Sequence, residues 1–105
     1  MSEFCQVWLS CGSSEEASKI ASVLLEMKLI ACAKQLPIMS DYRWQDAIEH
    51  DNEVLLVMET RLELFEQIEA EVAKLHSYET FVLQAIPIVK LSKAAEKWWL
   101  ESTTS

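Results

Sequence analysis

Apolar and polar residues alternate from Phe4 to Cys11, with Cys5, Val7, Leu9 and Cys11 on one face and Phe4, Gln6 and Trp8 on the other. The pattern predicts a strand, and Trp8 is large for a position facing water. From residue 13 the period becomes helical: Ala17, Ile20, Ala21, Leu24 and Met27 form one stripe. Ser13 followed by Glu16 makes a capping box at the helix start, and Lys28 suits the C-terminal end of the helix dipole. Period two then returns from Ile30 to Thr60. Ile38, Tyr42 and Trp44 share one face of a long extended segment, with Met39, Asp41 and Arg43 on the other. Pro37 has no N–H to give to a ladder, so a bulge or kink dividing that segment is expected there. The following turn falls within residues 45–52. It lacks Asn-Gly and Asp-Gly, which predicts a longer acidic arm carrying Asp46, Glu49, His50 and Asp51 in place of a tight two-residue loop. The return strand, Val54 to Met58, is apolar at every position, and such a run requires cover on both faces.

Thr60 with Glu63 forms a second capping box, opening a helix to about Leu75 with Phe65, Ile68, Val72 and Leu75 inward. Residues 76–79 read as a loop, Phe81 to Ile88 as a strand whose Pro87 marks an edge or a break, and Ser92 as the cap of a short last helix. That helix carries Trp98 and Trp99, which point about 100° apart, so one of them is expected to meet a neighbouring subunit. Residues 101–105 read as a frayed polar tail. The order β-α-β-β-α-β plus a helix predicts an α+β, ferredoxin-like fold: one domain over residues 1–105, an antiparallel sheet, and both main helices on one face. A chain of 105 residues has little left to cover the other face. A second copy of the same chain is expected to supply the cover.

Composition narrows the function. The net charge of −8 argues against a nucleic-acid partner, since phosphate binding depends on displaced counterions. It suits cation binding, or simply solubility. Three cysteines with no close-spaced pair and an N-terminus without a basic or long apolar stretch point to reduced thiols in the cytoplasm. No stretch approaches the ~20 apolar residues of a membrane span. Gly12 is the single glycine, which excludes the glycine-rich phosphate loops.

Several separated blocks carry a resemblance. Leu29-Ile-Ala-Cys-Ala33, Pro37-Ile-Met-Ser-Asp-Tyr-Arg-Trp44, Asp51 with Glu53, Leu75-His-Ser-Tyr-Glu79 and Ile86-Pro-Ile88 resemble the CutA-type divalent-cation tolerance proteins. The resemblance implies a compact, PII-like homotrimer built by hairpin exchange and a link to divalent metals, copper above all, with no established enzymatic activity. The family's metal-associated cysteines and histidine match Cys11, Cys32 and His76 here. The chain departs from the family pattern at Asp46-Ala47, Ser77 and Val82.

Individual side chains add their own chemistry. Cys11 ends a strand beside a helix N-terminus, where a thiolate is favoured and a soft metal can bind; a small buried apolar residue is the alternative. His76 offers an imidazole past a helix end, or a group that satisfies free carbonyls. Two donors make an incomplete site, and Glu79 or a neighbouring subunit is the expected further donor to Cu²⁺ or another divalent ion. The hairpin carboxylates suit a hard cation or a solvated tip that deters edge pairing. Tyr42, Trp44 and Tyr78, together with Cys32, are expected to line a cleft between subunits, either as interface anchors or around a small ligand or protein partner of a PII-like signalling trimer. No nucleophile with a base and an orienting acid stands at recognisable positions, so neither catalysis nor an organic cofactor is expected.

Overall fold

The computed structural model describes residues 3–104. Its elements are β1 (Phe4–Cys11), α1 (Ser14–Glu26), β2 (Cys32–Trp44), β3 (Ala47–Arg61), a 3₁₀ turn (Leu62–Leu64), α2 (Phe65–Leu75), β4 (Leu83–Pro87) and α3 (Lys93–Ser102). The four strands lie in the order β2-β3-β1-β4, every neighbouring pair antiparallel. This is the ferredoxin-like arrangement that the alternation of patterns predicts.

Register decides what each face carries. Val7 stands opposite Met58 and Leu9 opposite Leu56, so these four side chains share one face. All four are fully buried, as are Ile20 and Leu24 of α1 and Ile68 and Val72 of α2. Each such side chain contributes about 1.5–3 kcal/mol relative to an exposed one. Helix α1 starts where its cap dictates: the Ser13 hydroxyl accepts the Glu16 N–H at 3.2 Å. It ends a residue before the stripe does. Met27 is the C-cap and stands 45 % exposed, and Lys28 takes φ 58°, which closes the helix.

Three expectations fail for identifiable reasons. Pro37 produces no bulge, because the pairing of β2 with β3 runs unbroken from Cys32–Glu59 to Trp44–Ala47. Counted back from the turn, Pro37 falls at a non-hydrogen-bonded position on an edge strand, where no N–H is needed. The turn is a tight two-residue loop despite lacking Asn-Gly. Gln45 and Asp46 adopt φ 47° and 66°, the left-handed pair that matches the twist of a hairpin. Thr60 does not cap α2: it is a buried β3 residue opposite Cys5, and its hydroxyl donates to the Leu29 carbonyl at 2.6 Å. Glu63 accepts from Arg61 at 3.0 Å instead.

The C-terminal segment is docked, contrary to the frayed tail expected. Thr103 is buried, Thr104 N–H donates to the Lys28 carbonyl at 2.8 Å, and the buried Arg61 guanidinium donates to Thr103 Oγ1 at 2.8 Å and to the Thr104 carbonyl. Ser105 lies outside the described residues. Helix α3 covers one end of the second sheet face, with Trp99 edge-on to Phe4 at 5.5 Å. Trp99 is thus buried and Trp98 is 45 % exposed, as two adjacent helical tryptophans require.

The remainder of that face is open. Residues 41–52 are exposed throughout, forming a two-stranded arm that extends beyond the helices. Val57 and Leu56 are covered within the chain, but Leu36, Tyr42 and Trp44 are 47 %, 39 % and 49 % exposed. Isolated hairpins are at best marginal in water. No helix among the described residues is long and apolar enough to cross a membrane.

Candidate metal centre and adjoining cleft

The end of β1, the start of α1 and the loop after α2 converge. Cys11 is the last residue of β1, and Glu16 lies in the first turn of α1. His76 caps the C-terminus of α2. One donor atom from each of Cys11, Glu16 and His76 lies within 4.8 Å of the other two.

Each donor is engaged by its own surroundings. His76 Nε2 donates to the Ser10 carbonyl at 2.9 Å, while Nδ1 accepts the Tyr78 N–H at 3.0 Å, which fixes a neutral ring with its proton on Nε2. The ring stacks on Phe81 with centroids 5.4 Å apart. Glu16 accepts the Gly12 N–H at 3.0 Å on one oxygen and the Ser77 N–H at 2.7 Å on the other. Partial burial raises its pKa, but the hydrogen bonds from Gly12 and Ser77 outweigh this and hold the carboxyl below the usual range. Cys11 behaves contrary to the expectation of a favoured thiolate. Burial, with the negative charges of Glu16 and Glu53 beside it, pushes its thiol up to about 12. The helix dipole does not compensate, because the nearest charges at that helix start are carboxylates.

The second assembly is a cleft of about 860 Å³ between the turn-proximal half of β2, from Met39 to Trp44, and the loop after α2. Tyr42, Trp44 and Tyr78 line it together with Glu53, Glu79 and Arg43. Tyr78 O–H donates to Glu53 at 2.6 Å, and Tyr42 O–H donates to Asp51. Those bonds and the surrounding carboxylates hold both phenols protonated, Tyr42 up to about 12 and Tyr78 higher still. Another hollow is lined by Glu3, Leu62, Glu63, Phe65, Glu66 and Ala85, with no imidazole or thiol among them.

Cys11 and His76 therefore meet, as the sequence suggests. Glu79 does not stand with them; it lines the cleft. Glu16 takes the third place, and its capping role conceals it, since a glutamate at that position is explained by the helix start alone. Cys32, expected to line a cleft between subunits, sits opposite Glu59 at the far end of the hairpin ladder, about 40 Å along the strand from Trp44 and outside this cleft of the single chain. Glu53 belongs by sequence with the hairpin carboxylates, yet it is buried and serves as the acceptor for Tyr78.

A family model described as "CutA1 divalent ion tolerance protein" matches residues 5–102. The chain belongs to this family. A divalent-cation tolerance protein CutA from Archaeoglobus fulgidus is 39 % identical over 92 residues, covering 88 % of this chain and 90 % of the relative. The one from Thermus thermophilus is 34 % identical over 98 residues, covering 92 % and 95 %. The solved A. fulgidus CutA, named periplasmic, superposes with a TM-score of 0.92 at 37 % identity over 94 % of this chain and 97 % of that one. CutA1 from Pyrococcus horikoshii gives 0.91 at 29 % identity over 96 % and 99 %. The family name describes tolerance of divalent ions and no reaction.

Proposed function

We propose that this CutA family member is a homotrimer that binds divalent metal, copper foremost, through Cys11 and His76, in the cytoplasm. The observation that carries the reading is the convergence of Cys11, Glu16 and His76 within 4.8 Å. A thiol, an imidazole and a carboxylate are the donor set of a borderline or soft divalent ion. Donors on a tetrahedral ion at about 2.0–2.3 Å stand about 3.3–3.8 Å apart, so the set fits after a closure of roughly 1 Å. A residue of a neighbouring subunit is the further donor, since Glu79 lines the cleft.

Calorimetric titration with Cu²⁺ and Zn²⁺ tests the reading. Cys11→Ser and His76→Ala are each expected to weaken binding by about a hundredfold or more, and Glu16→Gln by about tenfold. Because the Cys11 thiol must surrender its proton, apparent affinity is expected to rise with pH, by up to about tenfold per unit through the neutral range. Unchanged affinity in both Cys11→Ser and His76→Ala would remove these residues from the site.

The trimer is supported by the exposed arm of residues 41–52, whose apolar side chains have no cover from their own chain. A second reading, a PII-like signalling trimer with a small ligand, is favoured by the aromatic-lined cleft alone. A thermal-shift screen of nucleotides and anions separates the two, since a ligand of the native state raises Tm.

A further inference from the structure

The loop of residues 76–79 carries one of the three metal donors, His76, and also walls the cleft through Tyr78 and Glu79. Its backbone occupies two of the donors: Ser77 N–H holds Glu16 at 2.7 Å, and Tyr78 N–H holds His76 Nδ1 at 3.0 Å. The Tyr78 side chain reaches the cleft, where its O–H donates to the buried Glu53 at 2.6 Å. The loop also lies hard against the end of β1. A side chain begun on Gly12 would meet the Tyr78 oxygen at 3.3 Å, so Gly12 leaves the room that this packing uses. An ion taking the Nδ1 lone pair of His76 must displace the Tyr78 N–H, whereas an ion on an oxygen of Glu16 shares that oxygen with the Gly12 or Ser77 N–H. The proton on Nε2 closes the alternative nitrogen while Ser10 accepts from it. Two of the three donors, Glu16 and His76, are thus engaged by the segment that fixes the cleft wall.

We infer that residues 76–79 act as a latch through which metal binding and the Tyr78–Glu53 hydrogen bond compete, so that the metal's occupancy reshapes the cleft. The inference rests on the metal reading above and adds its regulation: the cleft exists in a latched, metal-free form and an unlatched, metal-bound form. Tyr78 is a positioning residue in this scheme, since it holds the loop without touching the ion. Coupling of this kind is reciprocal. Whatever free energy metal binding expends on releasing Tyr78 returns as tighter metal binding when the bond is absent.

The test uses the full chain and Zn²⁺, a redox-silent probe. Tyr78→Phe keeps the ring against His76 and removes only the hydroxyl. It is expected to bind Zn²⁺ about tenfold more tightly, the scale set by one charge-assisted hydrogen bond. Glu53→Gln is expected to act in the same direction and more weakly, since an amide still accepts. As a second readout, the ring-carbon NMR signal of Tyr78 is expected to move on Zn²⁺ loading of the wild type and to remain still in Cys11→Ser. Wild-type Zn²⁺ binding with unchanged or weaker affinity in Tyr78→Phe, or with an unmoved Tyr78 signal, would overturn the latch and leave the metal site standing. Absence of Zn²⁺ binding by the wild type would overturn both.

Discussion

Aspartate at Trp44 and Ile48 together is expected to convert the proposed trimer, a particle of about 36 kDa or three times the 12.0 kDa chain, into single chains. These residues sit at the tip of the exposed arm, on opposite faces, at 49 % and 61 % exposure, and Met39 nearby is 85 % exposed. An exposed tryptophan surface of about 120 Å² stabilises an interface by roughly 3 kcal/mol when buried, and each copy contributes one. A buried, unpaired carboxylate adds a further penalty of several kcal/mol. The core lies away from the tip, so the variant is expected to keep its far-ultraviolet circular dichroism while multi-angle light scattering reports the mass of one 12.0 kDa chain. An unmodified chain that already ran at that single-chain mass, or a variant still at the trimer mass, would contradict the role given to the arm.

Arg61→Met is expected to lower Tm by on the order of 10 °C, a loss of about 3 kcal/mol. Arg61 is 4 % exposed, and its guanidinium donates to Thr103 Oγ1, to the carbonyls of Thr103 and Thr104, and to Glu63. Methionine preserves the packing of the stem and leaves buried acceptors at the C-terminal segment without their donor. The same variant is expected to expose that segment to carboxypeptidase. Lys97→Met provides the contrast. Its 3.9 Å pair with Glu101 is solvated on both sides, and such pairs contribute little. If Arg61→Met melted with the wild type, the docking of the tail would be incidental.

The fold was legible because its long elements are strongly periodic. Cys5, Val7, Leu9 and Cys11 at period two, and Ala17, Ile20, Ala21 and Leu24 at helical spacing, are all buried where the pattern places them. What escaped was set by tertiary context. Pro37 is harmless only because β2 is an edge and the hairpin count puts it off the ladder. Thr60 looks like a cap until its partner Cys5 claims it for the sheet. The polar tail looks free until a buried arginine from β3 binds its carbonyls, a contact across more than forty residues that no local pattern can signal.

The candidate site divides in the same way. Cys11 and His76 stand out by residue type, and the topology brings them together as the sequence suggested. Glu16 was hidden behind a sufficient local explanation, and Glu53 behind a cluster of exposed acids. Glu79 follows Tyr78 directly, so it shares the loop but lines the cleft.

Anomalous scattering from crystals soaked in Cu²⁺ or Zn²⁺ bears most directly on the metal assignment. A single strong peak per chain is expected in contact with Cys11 Sγ, a nitrogen of His76 and a carboxylate oxygen of Glu16. A peak confined to the hairpin carboxylates or to Glu79, with Cys11 and His76 in their metal-free hydrogen bonds, would contradict it.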